Sequence, residues 1–261
     1  SSLLIRHLDT VVTCDDRDQV LRDVDLYCED GWIRALGPNL PHTAQTELDG
    51  RHLLCYPGLI NTHHHLYQIF SRNLPQVQNL ELFDWLTALY EIWKGLDEQV
   101  VRLSSLTGMG ELLKHGCTTC FDHHYVFPAG CGDLIGAIAA AEELGMRMFA
   151  SRGSMDLSRK DGGLPPDSVV QTVDAIMKDS ARVIERTTIR PRVHAAGGPA
   201  PCSPFSVSGD CCGRAPSWPG STASGSTPTC VDEGRGALHL EHYGVRPLEY
   251  MASLGWTGPD V

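Results

Sequence analysis

The first part of the chain carries short stretches in which apolar and polar residues loosely alternate. Residues 3–12 follow this pattern and are rich in residues that favour β-strands. Residues 24–28 and 32–36 do the same, and Asp30-Gly31 between them is a turn signal. A period of two is typical of strands with one buried face. Residues 1–56 are therefore predicted to form a small N-terminal β domain.

Beyond residue 56 the pattern predicts alternating strands and helices. Apolar residues recur every three or four positions over residues 81–96, which indicates an amphipathic helix. Asp97 is a candidate N-cap for a second helix that runs to Lys114. The other predicted elements are strands over 117–125 and 147–151 and helices over 134–144 and 168–185. This alternation predicts a parallel α/β architecture for residues 57–261.

Charge and composition limit the classes of function. The chain has 261 residues, and its 32 Asp and Glu outnumber its 21 Lys and Arg. An acidic chain without a basic block is not expected to bind nucleic acid. No apolar run approaches the ~20 residues that span a bilayer, and no signal-peptide pattern is visible. We therefore expect a soluble cytoplasmic protein without membrane contacts, and we leave a homo-oligomer open.

The stretch Pro57-Gly58-Leu59-Ile60-Asn61-Thr62-His63-His64-His65 carries the strongest chemical signal. If residues 59–65 form a strand, alternation places His63 and His65 on one face and His64 on the other. Two imidazoles on one face can bind a single Zn²⁺, and Fe²⁺ is equally suited to imidazole. Ligands at the end of a barrel strand lie at the C-terminal mouth, where such barrels hold their active sites. A (β/α)₈ TIM-type barrel is therefore favoured over a doubly wound sheet, and no G-x-G-x-x-G loop follows a predicted strand.

The stretch resembles the first-strand metal motif of the amidohydrolase superfamily, in the branch of 8-oxoguanine deaminases and hydroxyatrazine-type hydrolases. The resemblance runs continuously over residues 53–186. Its matching segments are residues 63–68, 121–128, 151–155, 161–170 and 200–208, in that order. It implies a partial (β/α)₈ barrel in residues 57–261 and a small β-sandwich segment in residues 1–56.

The same resemblance implies a metal-dependent hydrolase that acts on C–N bonds. The favoured reaction is deamination of an amino-purine, with 8-oxoguanine giving urate and ammonia. The site implied by the family needs three histidines and one aspartate, of which the sequence supplies His63 and His65 as metal ligands. A single Zn²⁺ is favoured, with Fe²⁺ as the alternative, and the catalytic acid/base is not assigned.

Two further residues are candidates for binding a small heterocyclic substrate. Arg152 follows the predicted third strand, where paired N–H donors can hold a ring carbonyl or an anionic purine. A surface arginine that pairs with Asp156 or Asp161 is the alternative for Arg152. The amide of Gln68 can bind a purine edge, and hydrogen bonding within its loop is the alternative. His123 and His124 are expected to be structural, and residues 202–205 are expected to form a pocket wall.

Residues 211–230 have no helical or strand periodicity and combine prolines, glycines and serines with a tryptophan. A flexible linker is one interpretation. A reading-frame error is favoured, because a base lost after Asp210 allows a helix and a strand ending in His-Thr-His-Leu, similar to the family's fifth-strand metal motif. The sequence as written has Thr227-Pro228-Thr229-Cys230 there. A second reading-frame error over residues 187–194 is also considered. Residues 187–239 are therefore called the suspect frame, the stretch that we predict to be read in the wrong frame.

Three alternatives stay open beside the favoured prediction of a metal-dependent aminohydrolase. One is a hydrolase of hydroxy-s-triazines or other heterocycles. Another is a non-catalytic, truncated fragment, since the resemblance places further ligands in strands beyond residue 261. A third is a small metal-binding module that uses His63 and His65 with His123 and His124. If the sequence stands as written, we expect the polypeptide to be insoluble or inactive.

Overall fold

The computed structural model describes residues 1–128, 134–188, 195–203, 205–214 and 240–256. By their internal contacts these residues fall into two compact units, Ser1–Leu59 and Ile60–Val261. The stretch Thr227-Pro228-Thr229-Cys230 and most of the suspect frame lie outside the described residues. The frame-error prediction therefore stays a prediction.

The first unit is built on a five-stranded sheet. Its strands are β1 (Ser2–Val12), β2 (Val20–Glu29), β3 (Trp32–Gly37), β4 (Thr46–Asp49) and β5 (Leu54–Cys55). β1 pairs antiparallel with β2 and parallel with β4 and β5, and β2 pairs antiparallel with β3. Leu8, Val11, Val24 and Leu26 form its buried cluster. Leu8 lies opposite Val24, and Leu26 shares the face of Val24 because it is two positions further along β2. The three strands expected from the alternation all form.

The second unit contains a four-stranded sheet in the order β6-β7-β8-β9. These strands are β6 (Leu59–Asn61), β7 (Cys117–His124), β8 (Arg147–Ser154) and β9 (Ala195–Pro201). β7 pairs parallel with β8, with Thr119 opposite Arg147, and β8 pairs parallel with β9. Parallel neighbours need a crossover between them, and the helices of this unit provide it. The predicted parallel α/β architecture is thus confirmed.

The helices that the structure describes in the second unit include one that begins at its predicted N-cap. They are α1 (Leu82–Trp93), α2 (Glu98–Lys114), α3 (Ile135–Leu144), α4 (Val173–Thr188), α5 (Gly209–Arg214) and a C-terminal helix, Pro247–Ser253. The Asp97 side chain accepts a hydrogen bond from the Val100 amide at 2.8 Å, as an N-cap does. α3 ends at Gly145, whose φ of 70° is the left-handed conformation that glycine adopts freely. Among the described residues, no helix is long and apolar enough to cross a membrane.

Several predicted boundaries are wrong, and one of them affects the site. The helix predicted over residues 81–96 ends at Trp93, and the strand predicted over residues 147–151 extends to Ser154. The helix predicted from residue 168 begins at Val173, after a 3₁₀ turn at Asp167–Val169. The strand predicted over residues 59–65 ends at Asn61, and a 3₁₀ helix follows over Leu66–Ser71. The three histidines therefore lie in the segment between the strand and this helix. Apolar periodicity cannot locate such a boundary, because the histidines fit a strand and a loop equally well.

Candidate active site

The predicted metal ligands meet although they do not lie on a strand. The ring centroids of His63 and His65 are 4.9 Å apart, and the rings meet edge to face. His63 is exposed and His65 is half-buried. The Nδ1 atom of His65 lies 2.7 Å from the backbone oxygen of His123. Because a carbonyl only accepts, Nδ1 carries the proton and Nε2 of His65 keeps the lone pair that a metal would use.

Strand β7 holds the histidine segment through its backbone and through one buried carboxyl group. The amide of His123 donates to the carbonyl oxygen of His64 at 2.8 Å. The amide of Leu66 donates to Oδ1 of Asp122 at 2.7 Å. Asp122 is fully buried. Burial raises the pKa of Asp122 to about 7, although the hydrogen bond from Leu66 opposes this shift.

Burial also determines the charge state of His65. Desolvation lowers the pKa of His65 to about 4, and the hydrogen bond to the His123 carbonyl only partly opposes it. Nearby His63 and His64 lower it slightly further. His65 is therefore neutral at physiological pH, which is the form that binds a metal.

The two histidines open into a cavity of about 180 Å³ with largely aromatic walls. Its lining includes Trp85, Tyr90, Tyr125 and Phe205. A volume below the ~300 Å³ at which pockets for drug-sized ligands begin fits a compact ring compound. Flat aromatic side chains bind such rings by stacking or by edge-to-face contacts.

Gln68 lines this cavity beside the histidines. Its Nε2 atom donates to the hydroxyl of Tyr67 at 3.1 Å and to the hydroxyl of Tyr125 at 3.2 Å. Tyr67 is almost fully buried, and burial raises the pKa of its hydroxyl well above the usual value. The amide of Gln68 is thus held in place by two tyrosine hydroxyls. Its contact with a substrate stays a prediction.

Arg152 takes a different position from the one predicted. It is fully buried, and it is absent from the described residues that line the cavity. Its Nε donates to Oδ2 of Asp179 at 2.9 Å, and Nη2 donates to Gln171. The guanidinium also stacks over the ring of Phe127, 3.8 Å from its centroid. A substrate contact by Arg152 remains a prediction, while these bonds join β8 to α4. The alternative, a surface ion pair with Asp156 or Asp161, is wrong, because Arg152 is buried and its ion pair is with Asp179.

His123 and His124 are the last two residues of β7, and their side chains bond within the protein. Nδ1 of His123 lies 2.6 Å from the hydroxyl of Ser151, and Nε2 lies 3.6 Å from Sγ of Cys202. Nε2 of His124 donates to the carbonyl oxygen of Val126 at 2.9 Å. In the part of the chain that the structure describes, no three His, Cys, Asp or Glu residues form a metal-binding group. This arrangement does not favour the four-histidine module.

Cys202 lines the cavity next to Ser203 and Phe205, which agrees with the pocket wall expected there. Its partner His123 could not be identified from the sequence, because Cys202 follows β9 while His123 lies on β7, far away along the chain. Burial raises the pKa of the Cys202 thiol, so the thiol is protonated at neutral pH. Burial has the opposite effect on His123, whose pKa it lowers, because the charged form of an imidazole is the protonated one. The pair is neutral, which leaves Cys202 without the thiolate that a nucleophile needs.

Sequence reasoning missed other residues of the site. Trp85 and Tyr90 belong to the amphipathic helix α1, where the period of 3.6 gives the same pattern for a core face and for a pocket wall. Tyr125 follows β7 and was assigned only to a strand. Asp122 directly precedes the two histidines of β7, and its place at the end of an apolar strand was the available signal.

Comparison with known proteins agrees with this geometry. A model of the amidohydrolase family matches residues 54–209. The 8-oxoguanine deaminase of Pseudomonas aeruginosa is 40% identical over 243 residues, covering 90% of this chain and 54% of that protein. The hydroxydechloroatrazine ethylaminohydrolase of Pseudomonas sp. strain ADP is 34% identical over 275 residues, covering 96% of this chain and 55% of that protein.

A solved structure extends the comparison to three dimensions. The atrazine chlorohydrolase of Arthrobacter aurescens complexed with zinc superposes with a TM-score of 0.86 at 26% identity, covering 97% of this chain and 58% of that one. The chain belongs to the amidohydrolase family. Its fold is part of a (β/α)₈ TIM-type barrel with an N-terminal β-sheet, as the sequence predicted. It spans about half the length of the curated relatives it matches.

Proposed function

We propose that this chain is part of a metal-dependent aminohydrolase that deaminates an amino-purine, with 8-oxoguanine and water giving urate and ammonia. The observation that carries the proposal is the His63–His65 pair, whose rings lie 4.9 Å apart beside an aromatic cavity of about 180 Å³. The relative from Pseudomonas aeruginosa supports the choice of substrate. The reaction exchanges the exocyclic amino group for an oxygen taken from water.

The donor set of the pair fits a zinc ion. His63 and His65 are imidazoles, which zinc binds readily. The bond from Nδ1 of His65 to the His123 carbonyl fixes the tautomer, as in many zinc sites. When bound, Zn²⁺ supplies Lewis-acid activation of a water molecule at neutral pH. The described residues provide these two ligands, so we expect weaker zinc binding than a four-ligand site would give.

The cavity residues would bind and orient the ring. Trp85 and Tyr90 present flat aromatic surfaces to a planar heterocycle. Because Nε2 of Gln68 already donates to two tyrosine hydroxyls, Oε1 of the same amide can accept a hydrogen bond from a ring N–H. This acceptor would favour a lactam-type purine, whose ring nitrogens carry hydrogens.

An s-triazine is the second candidate for the substrate. The identity to the hydroxydechloroatrazine ethylaminohydrolase and the similarity to the zinc-bound atrazine chlorohydrolase favour it. A one-ring triazine also fits a cavity of about 180 Å³. The two candidates differ in ring size and in the N–H groups that face Gln68, so parallel measurements can separate them.

The test compares 8-oxoguanine with a hydroxylated s-triazine on the zinc-loaded chain. Ring binding is measured by equilibrium dialysis, and turnover is measured by urate absorbance and ammonia release. The variant is His63→Ala, and the matched control is His115→Ala, an exposed histidine at the end of α2 that bonds to the Glu111 carbonyl. We expect 8-oxoguanine to bind more tightly, and His63→Ala but not His115→Ala to lose zinc.

The outcomes separate the alternatives. Tighter binding of the triazine would replace the purine by the second candidate. Zinc and ring binding without ammonia release would assign these residues a binding role and leave the reaction to ligands beyond the described ones. Failure of the wild-type chain to bind either zinc or a heterocycle would refute the proposed function.

A further inference from the structure

The histidine segment needs a support that its own secondary structure does not provide. β6 ends at Asn61, so His63 and His65 are not fixed by a strand ladder. The next helix begins at Leu66 with His65 as its N-cap, and the His65 side chain makes no cap hydrogen bond. The first N–H groups of a helix have no partner within the helix. The position of the metal-binding pair therefore depends on contacts from elsewhere.

Asp122 supplies that contact from β7. Its Oδ1 accepts the Leu66 amide at 2.7 Å, which is short for an N–H···O bond and typical of a charge-assisted or well-aligned one. Side chains alternate along a strand, so Asp122 points away from its neighbour His123. His123 contributes its backbone, whose carbonyl accepts from His65 and whose amide donates to His64. Asp122 and His123, two successive residues of β7, thus bond to His64, His65 and Leu66.

We propose that Asp122 is a positioning residue that caps the helix after the metal motif and thereby fixes the direction of the His65 imidazole. Its side chain is fully buried, and Leu66 N–H is the hydrogen-bond donor that the structure shows for it. Cβ of an alanine at Gly108 would lie 2.7 Å from the Leu66 side chain, so Leu66 is closely packed from α2 as well. Asp122 thus holds the amide of Leu66 while α2 packs against its side chain, and loss of the carboxyl acceptor would leave this amide without the hydrogen bond that fixes it.

The inference rests on the zinc pair of the proposed function, and it goes further by assigning a residue that touches neither metal nor ring. Partners that orient a metal-binding histidine are typically worth 10–100-fold in metal affinity. Asp122 does not bond to the His65 imidazole itself. It bonds to the amide of Leu66, and its effect reaches His65 through the peptide bond between these two residues. We expect Asp122→Ala to weaken zinc binding by about tenfold or more, at the lower part of that range.

The test uses three variants and two readouts. Asp122→Ala removes the acceptor, Asp122→Asn retains an acceptor oxygen in the same place, and Asp122→Leu removes the acceptor while filling the space. The control is Asp25→Ala in the first unit, a buried aspartate that also accepts from the backbone, from the amides of His7 at 2.8 Å and Leu40 at 3.0 Å. Zinc affinity is measured by competition with a chromogenic chelator, and amide hydrogen exchange of residues 63–71 is measured without metal.

The proposal predicts that Asp122→Ala and Asp122→Leu bind zinc at least tenfold more weakly and exchange faster over residues 63–71. Asp122→Asn should stay within about threefold of the wild type, and Asp25→Ala should leave zinc affinity unchanged. Wild-type affinity and exchange in Asp122→Leu would overturn the inference, and so would an Asn variant as weak as the alanine variant. A wild-type chain without zinc affinity would refute the proposed function instead, while hydrogen exchange would still decide the role of Asp122.

Discussion

Removal of the Asp179 carboxylate tests whether the buried Arg152 holds β8 and α4 together. Arg152 is 0% exposed and Asp179 is 20% exposed, with Nε 2.9 Å from Oδ2. Removing one partner of a buried ion pair costs about 3–5 kcal/mol, because the remaining charge stays buried. Arg152 keeps its bonds to Gln171 and to the Gly153 carbonyl and its stacking on Phe127. We therefore expect Asp179→Ala to lower the free energy of unfolding by about 3 kcal/mol.

Asp174 provides a matched control on the same helix. It pairs with Arg214 at 3.0 Å, and the two side chains are 89% and 45% exposed. Exposed pairs contribute about 0–1 kcal/mol, so Asp174→Ala should cost at most that much. Urea unfolding followed by circular dichroism is the assay. With a slope of roughly 3 kcal/mol per molar urea, Asp179→Ala should lower the midpoint by about 1 M. A loss no larger than that of Asp174→Ala would refute the reasoning.

The same pair predicts a pH dependence. Burial raises the pKa of Asp179, but Arg152 and Arg182 more than offset it, so the net pKa is lowered. A carboxylate with a lowered pKa in the folded state stabilises the protein above its unfolded pKa of about 3.9, and this stabilisation is lost as the pH falls through the folded pKa. The difference in the free energy of unfolding between the wild type and Asp179→Ala should have its full value at pH 7 and should shrink below about pH 4. A difference that grows on acidification would contradict the ion-pair account.

Two further results are expected. Gly153→Ala should lower the free energy of unfolding by about 1–3 kcal/mol and weaken ring binding, since its Cβ would lie 2.8 Å from Cε1 of His123. Gly110→Ala on α2 meets open space and should raise the free energy of unfolding by about 0.5–1 kcal/mol. Equal effects of the two substitutions in urea unfolding would contradict this. Re-sequencing of the DNA across codons 187–240 should restore a His-Thr-His-Leu motif, and an unchanged reading would refute the frame error.

The sequence allowed prediction of the architecture because its patterns are local. The cap at Asp97 and the strands predicted from residues 117 and 147 each depend on neighbouring residues, and both features form as predicted. The same reasoning failed for the strand through His65. Strand ends depend on which backbone groups find partners across the sheet, and at Leu66 the partner is a side chain of β7.

The site was predicted only in part, because its remaining contacts join distant residues. The family motif placed His63, His65 and Gln68, and the structure brings all three to one cavity. Arg152 carries the charge that a substrate site needs, and the structure shows it bonded to Asp179 on α4, while its contact with a substrate stays a prediction. Spacing along the chain contains no information on such a pairing, since the two residues belong to different elements.

X-ray absorption at the zinc edge tests the central claim most directly. The chain is loaded with one equivalent of zinc, and the wild type is compared with His63→Ala and His65→Ala. We predict nitrogen ligands at about 2.0–2.1 Å, with one imidazole contribution lost in each variant. A spectrum dominated by sulfur at about 2.3 Å, or one that neither substitution changes, would show that His63 and His65 do not form the metal site.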